Sequence, residues 1–245
     1  MSTVIVSPGA DYSLNARAYI VPVPGGLQYL GYYGAAPGDS PEQALARTLR
    51  NLAPTTNIAT QIGTIGMSTG YVTLDGSNAI LTTVPESLSF TRLFVGHPLA
   101  INAALFGQRQ PLSQTVLNSR PDFLYLLTGF TPHDEGGSIS QTAVGTLNAD
   151  PFVAPRMLSW SIDYDTGESR LRDLTGGGLV VTTIPGARTL VTPATPSRVG
   201  GNPQSSGAIR ASFYAEYNIA LSDSAIDEMH AFVANYFQQK YGITV

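Results

Sequence analysis

The sequence contains no cysteine, which excludes disulfide staples, thiol nucleophiles and thiolate metal sites and leaves the redox compartment open. Lysine is nearly missing as well. Lys240 is the only one, and 13 basic residues against 17 acidic ones give a formal net charge of −4. A nucleic-acid partner calls for a basic stripe that releases counterions from phosphates, and the sequence has none. Charged residues amount to 12% of the chain, half the usual ~25%, so the expected surface is polar but weakly charged. Long apolar runs are missing too. The N-terminal "MSTVIVSPGADYS" has neither a charged leader nor a continuous hydrophobic stretch, so neither a signal peptide nor membrane insertion is expected.

Turn chemistry is abundant. The 25 glycines and 17 prolines among 245 residues punctuate segments in which apolar and polar residues alternate with period two, as in strands with one buried face. In "AIRASFYAEYNIAL", Ile209, Ala211, Phe213, Ala215, Tyr217 and Ile219 fall on one face and Arg210, Ser212, Tyr214, Glu216 and Asn218 on the other, which predicts a half-buried strand. In "RMLSWSIDYDTGESRLRD", Leu158, Trp160, Ile162 and Tyr164 share a face, and "DTG" supplies a turn with Gly167 suited to a positive φ. This predicts a hairpin with the sole tryptophan in the core. Further strands are predicted at "ARAYIVP", "LQYLGYY", "YVTLDG", "AILTTV", "SFTRLFVG", "DFLYLLTGF", "GLVVTTI" and "RTLVTP". Many short strands at this spacing predict a sandwich or jelly roll rather than a parallel α/β sheet.

Two helices interrupt the alternation. In "DSPEQALARTLRNLAP", Ser40 is placed to cap, Gln43 to complete a capping box, Pro41 to occupy the first turn and Pro54 to end the run, with Leu45, Leu49 and Leu52 as the expected buried stripe. In "LSDSAIDEMHAFVANYFQQKYG", Ser222 is the expected N-cap and Gly242 the stop, with Ile226, Met229, Val233, Tyr236 and Phe237 facing inward.

The strand "SFYAEYNIAL" running into "LSDSAIDEMHAFVANYFQQKYGI" resembles the C-terminal signature of the concanavalin A-like, or laminin-G-like, jelly-roll superfamily. There a strand carrying a Glu and an aromatic-Asn pair leads through "ALSD" to a short helix ending in "KYG" or "KWG". The stretch "GYVTLDGSNAILTTVPESLSFTRLFVGHP" is similar to that family's early hairpin, and "DYDTGESRLRDLTGG" to a later one. The resemblance implies an all-β, antiparallel jelly-roll sandwich over residues 59–245. Residues 1–58 lie outside the family pattern and add strands and a helix, either as a further strand layer or as an attachment arm packed on the sandwich, in a single domain overall. The superfamily holds lectins, glycosidases, adhesion modules and structural domains of bacterial and phage proteins, so the resemblance leaves function to the residues.

"GMSTG", residues 66–70, matches G-x-S-x-G, but a nucleophile elbow needs a helix after the serine and here the strand "YVTLDG" follows. Neither His97, His133 nor His230 supplies a base for Ser68, which reads as a turn residue. A retaining glycosidase of this fold would carry a run of the form E-x-D-x-x-E, because its two carboxylates stand about 5 Å apart. Glu216 instead has no acidic neighbour two residues away and reads as structural or solvent-facing. Calcium is a candidate ligand of Asp163 and Asp165 in "DYDTG", although the fifth and twelfth positions of such a loop are Gly167 and Leu174 rather than oxygen donors. His133, Asp134 and Glu135 in "PHDEGG" form the densest donor cluster and are candidate ligand-binding residues, with a solvated loop tip between two strands as the competing reading. Tyr33 in "YLGYYG" is a candidate stacking platform for a sugar ring, with core packing as its competitor.

With no catalytic set in view, the expected function is a non-enzymatic structural or binding module requiring no cofactor. It would be of the kind found in bacteriophage virions as a capsid decoration, neck or tail protein, made in the host cytoplasm. The expected partners are other virion proteins, further copies of the chain and cell-surface glycans. The rivals are a free-standing lectin and a glycoside hydrolase of the same fold.

Overall fold

The structure is a computed structural model that describes residues 21–108, 122–126, 129–134, 142–143, 147, 152, 154–183, 190, 196–201 and 206–245. Its elements in chain order are β1 (Leu27–Tyr32), α1 (Pro41–Thr48), β2 (Ala59–Ile62), β3 (Gly66–Ser68), β4 (Tyr71–Leu74), β5 (Ala79–Thr82), β6 (Phe90–Pro98) and β7 (Ala103–Gly107). They continue with β8 (Asp122–Leu126), β9 (Gly129–Asp134), β10 (Thr142–Ala143), β11 (Arg156–Asp163), β12 (Glu168–Asp173), β13 (Gly178–Thr183), β14 (Arg198–Gly200), β15 (Ile209–Tyr217) and α2 (Asp223–Tyr241).

The strands form two sheets, and every pairing between named strands is antiparallel. The first runs β13-β12-β11-β6-β15-β4-β3, with β1 also on β15; the second runs β10-β9-β8-β7-β14-β5-β2. The expected all-β sandwich is therefore present. Between the sheets lies a core that includes Tyr29, Leu74, Phe90, Phe94, Phe106, Trp160, Val199 and Tyr214. Trp160 packs edge-on against Phe90 at 5.0 Å, and its indole N–H donates to the Ser169 hydroxyl at 3.0 Å, so its one polar atom is satisfied inside the core.

The first sheet is buried on its other face as well. Leu93, Val95, Met157, Phe213, Ala215 and Tyr217 meet Ile226, Met229, Val233 and Phe237 of α2, which makes a third layer. α2 begins as expected, with the Ser222 hydroxyl accepting from the Ala225 N–H. Its first turns are tied to the sheet by Arg170 on Asp223 at 3.0 Å and Arg172 on Asp227 at 2.7 Å. No helix among the described residues is long and apolar enough to cross a membrane.

β15 corrects the half-buried reading. A bulge falls between Ala211 and Phe213, so the alternation changes phase within the strand. Ile209, Ala211 and Tyr214 join the inter-sheet core, while Phe213, Ala215 and Tyr217 face α2. One extra residue on one side of a ladder has this effect because side chains alternate with a period of two.

The N-terminal part is joined to the sandwich from residue 27 onward, and residues 1–20 lie outside the described residues. β1 pairs with β15 along residues 213–217, directly after β4, which pairs along 209–211, so β1 is an integral strand of the sheet. α1 has the expected capping box, but its buried face is Ala44, Arg47 and Thr48, and Leu45, Leu49 and Leu52 are half-buried. Polar anchoring explains the rotation. Arg47 is drawn inward by Asp39 at 3.0 Å, and the Thr48 hydroxyl accepts the Gly34 N–H at 3.0 Å. The stretch "DFLYLLTGF" is divided between β8 and β9, and the strand expected at "RTLVTP" falls outside the described residues except for Leu190.

Candidate functional site

Glu216 is on β15 directly opposite Arg92 on β6. Both are inside the sandwich, 2% and 1% exposed. Arg92 donates its Nε–H to Glu216 Oε1 at 3.0 Å and an N–H to Gln108 at 2.7 Å. The Ser197 hydroxyl donates to the same carboxylate oxygen at 2.8 Å, and the Tyr214 hydroxyl donates to Oε2 at 3.0 Å. Burial and the adjacent carboxylate hold the Tyr214 phenol well above its ordinary range. Gln108 follows β7 and Ser197 precedes β14, so this network ties the two sheets together. A carboxylate so enclosed cannot meet a polysaccharide. Glu216 is structural, and its place inside rather than in solvent follows from the β15 bulge.

The residues singled out from sequence are dispersed. Tyr33 is 1% exposed within the inter-sheet core, where a ligand cannot reach its ring. This corrects the stacking-platform reading in favour of packing. His133 and Asp134 are not at a loop tip: they belong to β9, with His133 opposite Asp122 and Ala143 and Asp134 opposite Thr142. Glu135 is outside the described residues. Asp163 ends β11 opposite Glu168, and its carboxylate accepts the Asp165 N–H at 3.0 Å, so one of its oxygens holds the hairpin turn. Among the described residues no three His, Asp or Glu side chains are grouped as a metal site needs. Ser68 closes the β3–β4 hairpin opposite Tyr71, with Gly70 at φ 76°, as the turn reading expects.

A different cluster stands out on the outer face of the first sheet. In β4, Val72 and Leu74 point into the core, so Tyr71 and Thr73 point out. In β15, Ile209 and Ala211 point in and Arg210 points out, flanked by Thr73 on one side and His97 on the other. Three adjacent strands thus set Thr73, Arg210 and His97 in one row, roughly 10 Å across at the usual strand spacing. The Arg210 guanidinium lies over the Tyr71 ring, 4.7 Å from its centroid, a cation–π contact. Arg47, Arg92, Arg156, Arg170 and Arg172 each hold a carboxylate; Arg210 has no such partner among the described residues. Its Nε and the Nδ1 of His97 are buried without hydrogen-bond partners there. Desolvation, then the charge of Arg210, holds His97 below its ordinary range.

Tyr71, Thr73 and Arg210 are half-buried, so each keeps part of its surface in solvent on a rigid sheet. This arrangement suits recognition: a cation fixed on an aromatic ring, a hydroxyl and an imidazole, all placed by strands. Sequence reasoning missed it because the decisive property is that Arg210 has no carboxylate partner among the described residues, which no local pattern reveals. A separate crevice lined by Tyr32, Arg47, Arg50, Leu52 and Tyr236 has a cavity volume of only about 10 Å³, the space of a single water, too small for a sugar.

No protein-family model matches the chain, and no curated protein sequence matches it. Among solved structures it is similar to the binding domain of Paraclostridial Mosquitocidal Protein 1, with a TM-score of 0.58 and 12% identity over 86% of this chain and 52% of that one. It is similar to botulinum neurotoxin type C, in a structure that describes cell entry as dependent upon interaction with two ganglioside molecules; the TM-score is 0.60 and the identity 8% over 82% of this chain and 50% of that one. A third likeness is to Domain 4 of AbnA, a GH43 extracellular arabinanase from Geobacillus stearothermophilus, in complex with arabinotriose, with a TM-score of 0.52 and 18% identity over 70% of this chain and 87% of that one. The chain spans about half the length of the toxin chains it matches. At these identities the likeness is one of fold.

Proposed function

We propose that the chain is a non-enzymatic carbohydrate-binding module directed at cell-surface glycans. The observation that carries this reading is the Tyr71–Arg210 stack beside Thr73 and His97 on the outer face of the first sheet. A guanidinium held in place on an aromatic ring, with fixed polar groups around it, is suited to reading the hydroxyls and other polar groups of a sugar. The neighbours support it: ganglioside interaction is named for the type C toxin and bound arabinotriose for the arabinanase domain. The enclosure of Glu216 supports a role without hydrolysis, since that residue was the carboxylate on which the glycosidase alternative turned.

A place on a bacteriophage particle, with virion partners and self-association, is the finer part of the proposal. It rests on the sequence resemblance, since that superfamily includes structural domains of phage proteins. A glycan array probed with the full chain, with and without calcium, tests the binding reading. Retention of a subset of glycans above background is expected; no signal in either condition overturns it.

A further inference from the structure

We infer that the ligand of the outer-face surface is an acidic saccharide, one carrying a carboxylate on the sugar, as sialic and uronic acids do. This rests on the carbohydrate-binding reading and names the class of sugar. Arg210 is a permanent cation, half-buried, with no carboxylate partner among the described residues, in a protein whose net charge is −4. The other outward arginines of the same sheet, Arg170 and Arg172, lie on Asp223 and Asp227. A half-buried guanidinium without an anion is electrostatically incomplete, and a planar carboxylate is the group its fork fits, through two parallel N–H···O bonds.

The surroundings favour a sugar carboxylate over a bare anion. The Tyr71 ring under the guanidinium fixes the direction of the fork before binding. Thr73 lies next to Arg210 across the ladder, where its hydroxyl can meet a ring hydroxyl. His97 is opposite Arg210 on the other side, and its Nδ1 has no partner among the described residues. The row is about as wide as one or two pyranose rings, roughly 10 Å.

The test is a calorimetric titration of the full chain with matched oligosaccharides: sialyllactose and an oligogalacturonate, each against its carboxyl methyl ester, and lactose as the neutral parent. At least about a tenfold weakening is expected on esterification and in Arg210→Gln, the loss of one charge-assisted bidentate pair, with the acidic ligands also weakened by salt. The variant's thermal midpoint is expected to stay within a few degrees of the parent's. Should Arg210→Gln fail to fold, the esterified ligands with the unaltered chain decide the matter alone. Equal binding of acid and ester, or unchanged binding in a folded Arg210→Gln, overturns the acidic assignment and leaves glycan binding standing. Failure to bind any of the oligosaccharides, together with a blank glycan array, overturns both.

Discussion

Replacing Glu216 by glutamine changes one charge and almost no volume, at the position where the two sheets are joined. In the native chain Arg92, 1% exposed, is neutralised by the carboxylate opposite it. In Glu216→Gln the guanidinium keeps its charge, since arginine does not deprotonate in a protein, and loses the carboxylate that faces it, with Glu86 left as a second acidic group acting on it. Its other contacts include Gln108 at 2.7 Å, Ser197 at 3.4 Å, and the rings of Phe90 at 4.3 Å and Trp160 at 6.0 Å. Breaking a buried ion pair from one side costs about 3–5 kcal/mol. Glu86, the remaining acceptors and the ring faces place this case at the lower end, about 3 kcal/mol, which in a chain of this size lowers the melting temperature by about 10 °C. Urea unfolding followed by the fluorescence of Trp160 measures it directly, because the sole tryptophan adjoins the network. The double variant Arg92→Met/Glu216→Leu removes both charges, and its cost is expected to fall below the sum of the two single costs. A loss under about 1 kcal/mol in Glu216→Gln, or strict additivity in the double variant, would refute the reasoning. Glycan binding is expected to survive in folded Glu216→Gln.

Ser68→Ala is expected to leave stability and binding unchanged, whereas Gly70→Val is expected to destabilise, because Gly70 has φ 76° and a Cβ there would come 3.3 Å from the Tyr241 ring; unfolding midpoints of the two variants check this, and a benign Gly70→Val would contradict it. His97 predicts a pH effect. Its folded pKa lies below 6.5, so as pH falls through about 6.5 the unfolded chain takes up the proton first and stability declines. Between about pH 7.5 and 5.5 the parent should lose more stability than His97→Gln, measured by urea midpoints; equal losses would show that the site is not shielded. Arg210 on the neighbouring strand is the charged group set against His97 among the described residues.

The legible parts of this structure are those governed by local chemistry. The capping box of Ser40 and Gln43, the Ser222 cap, the Trp160 hairpin and the turn at Gly70 each follow from a few adjacent residues, and all appear where the pattern put them. Phase along a strand is different. Tyr214 and Glu216 read as outward because period two was counted straight through Ser212, and a bulge there depends on register with β6, some 120 residues away in the chain. Tyr33 read as ambiguous for a related reason: which face of β1 is inner depends on β15 and α2. Arg210 was invisible as a site residue, since it is set apart only by comparison with Arg47, Arg92, Arg156, Arg170 and Arg172, which the fold supplies with carboxylates, while among the described residues none reaches Arg210.

β15 receives hydrogen bonds from β1, β4 and β6, and Tyr217 reaches Val23 across 194 positions of chain. On a ribosome this central strand emerges after every other described strand. Until residues 209–217 are out, the first sheet exists as the four strands β13-β12-β11-β6, the pair β4-β3 and β1 alone, with edges open to any passing strand. Folding is therefore expected to be slow and governed by long-range closure. A chain interrupted within β15 would leave these pieces unjoined rather than yield a smaller stable domain, so translation through the last strand decides whether the open edges find one another or another chain.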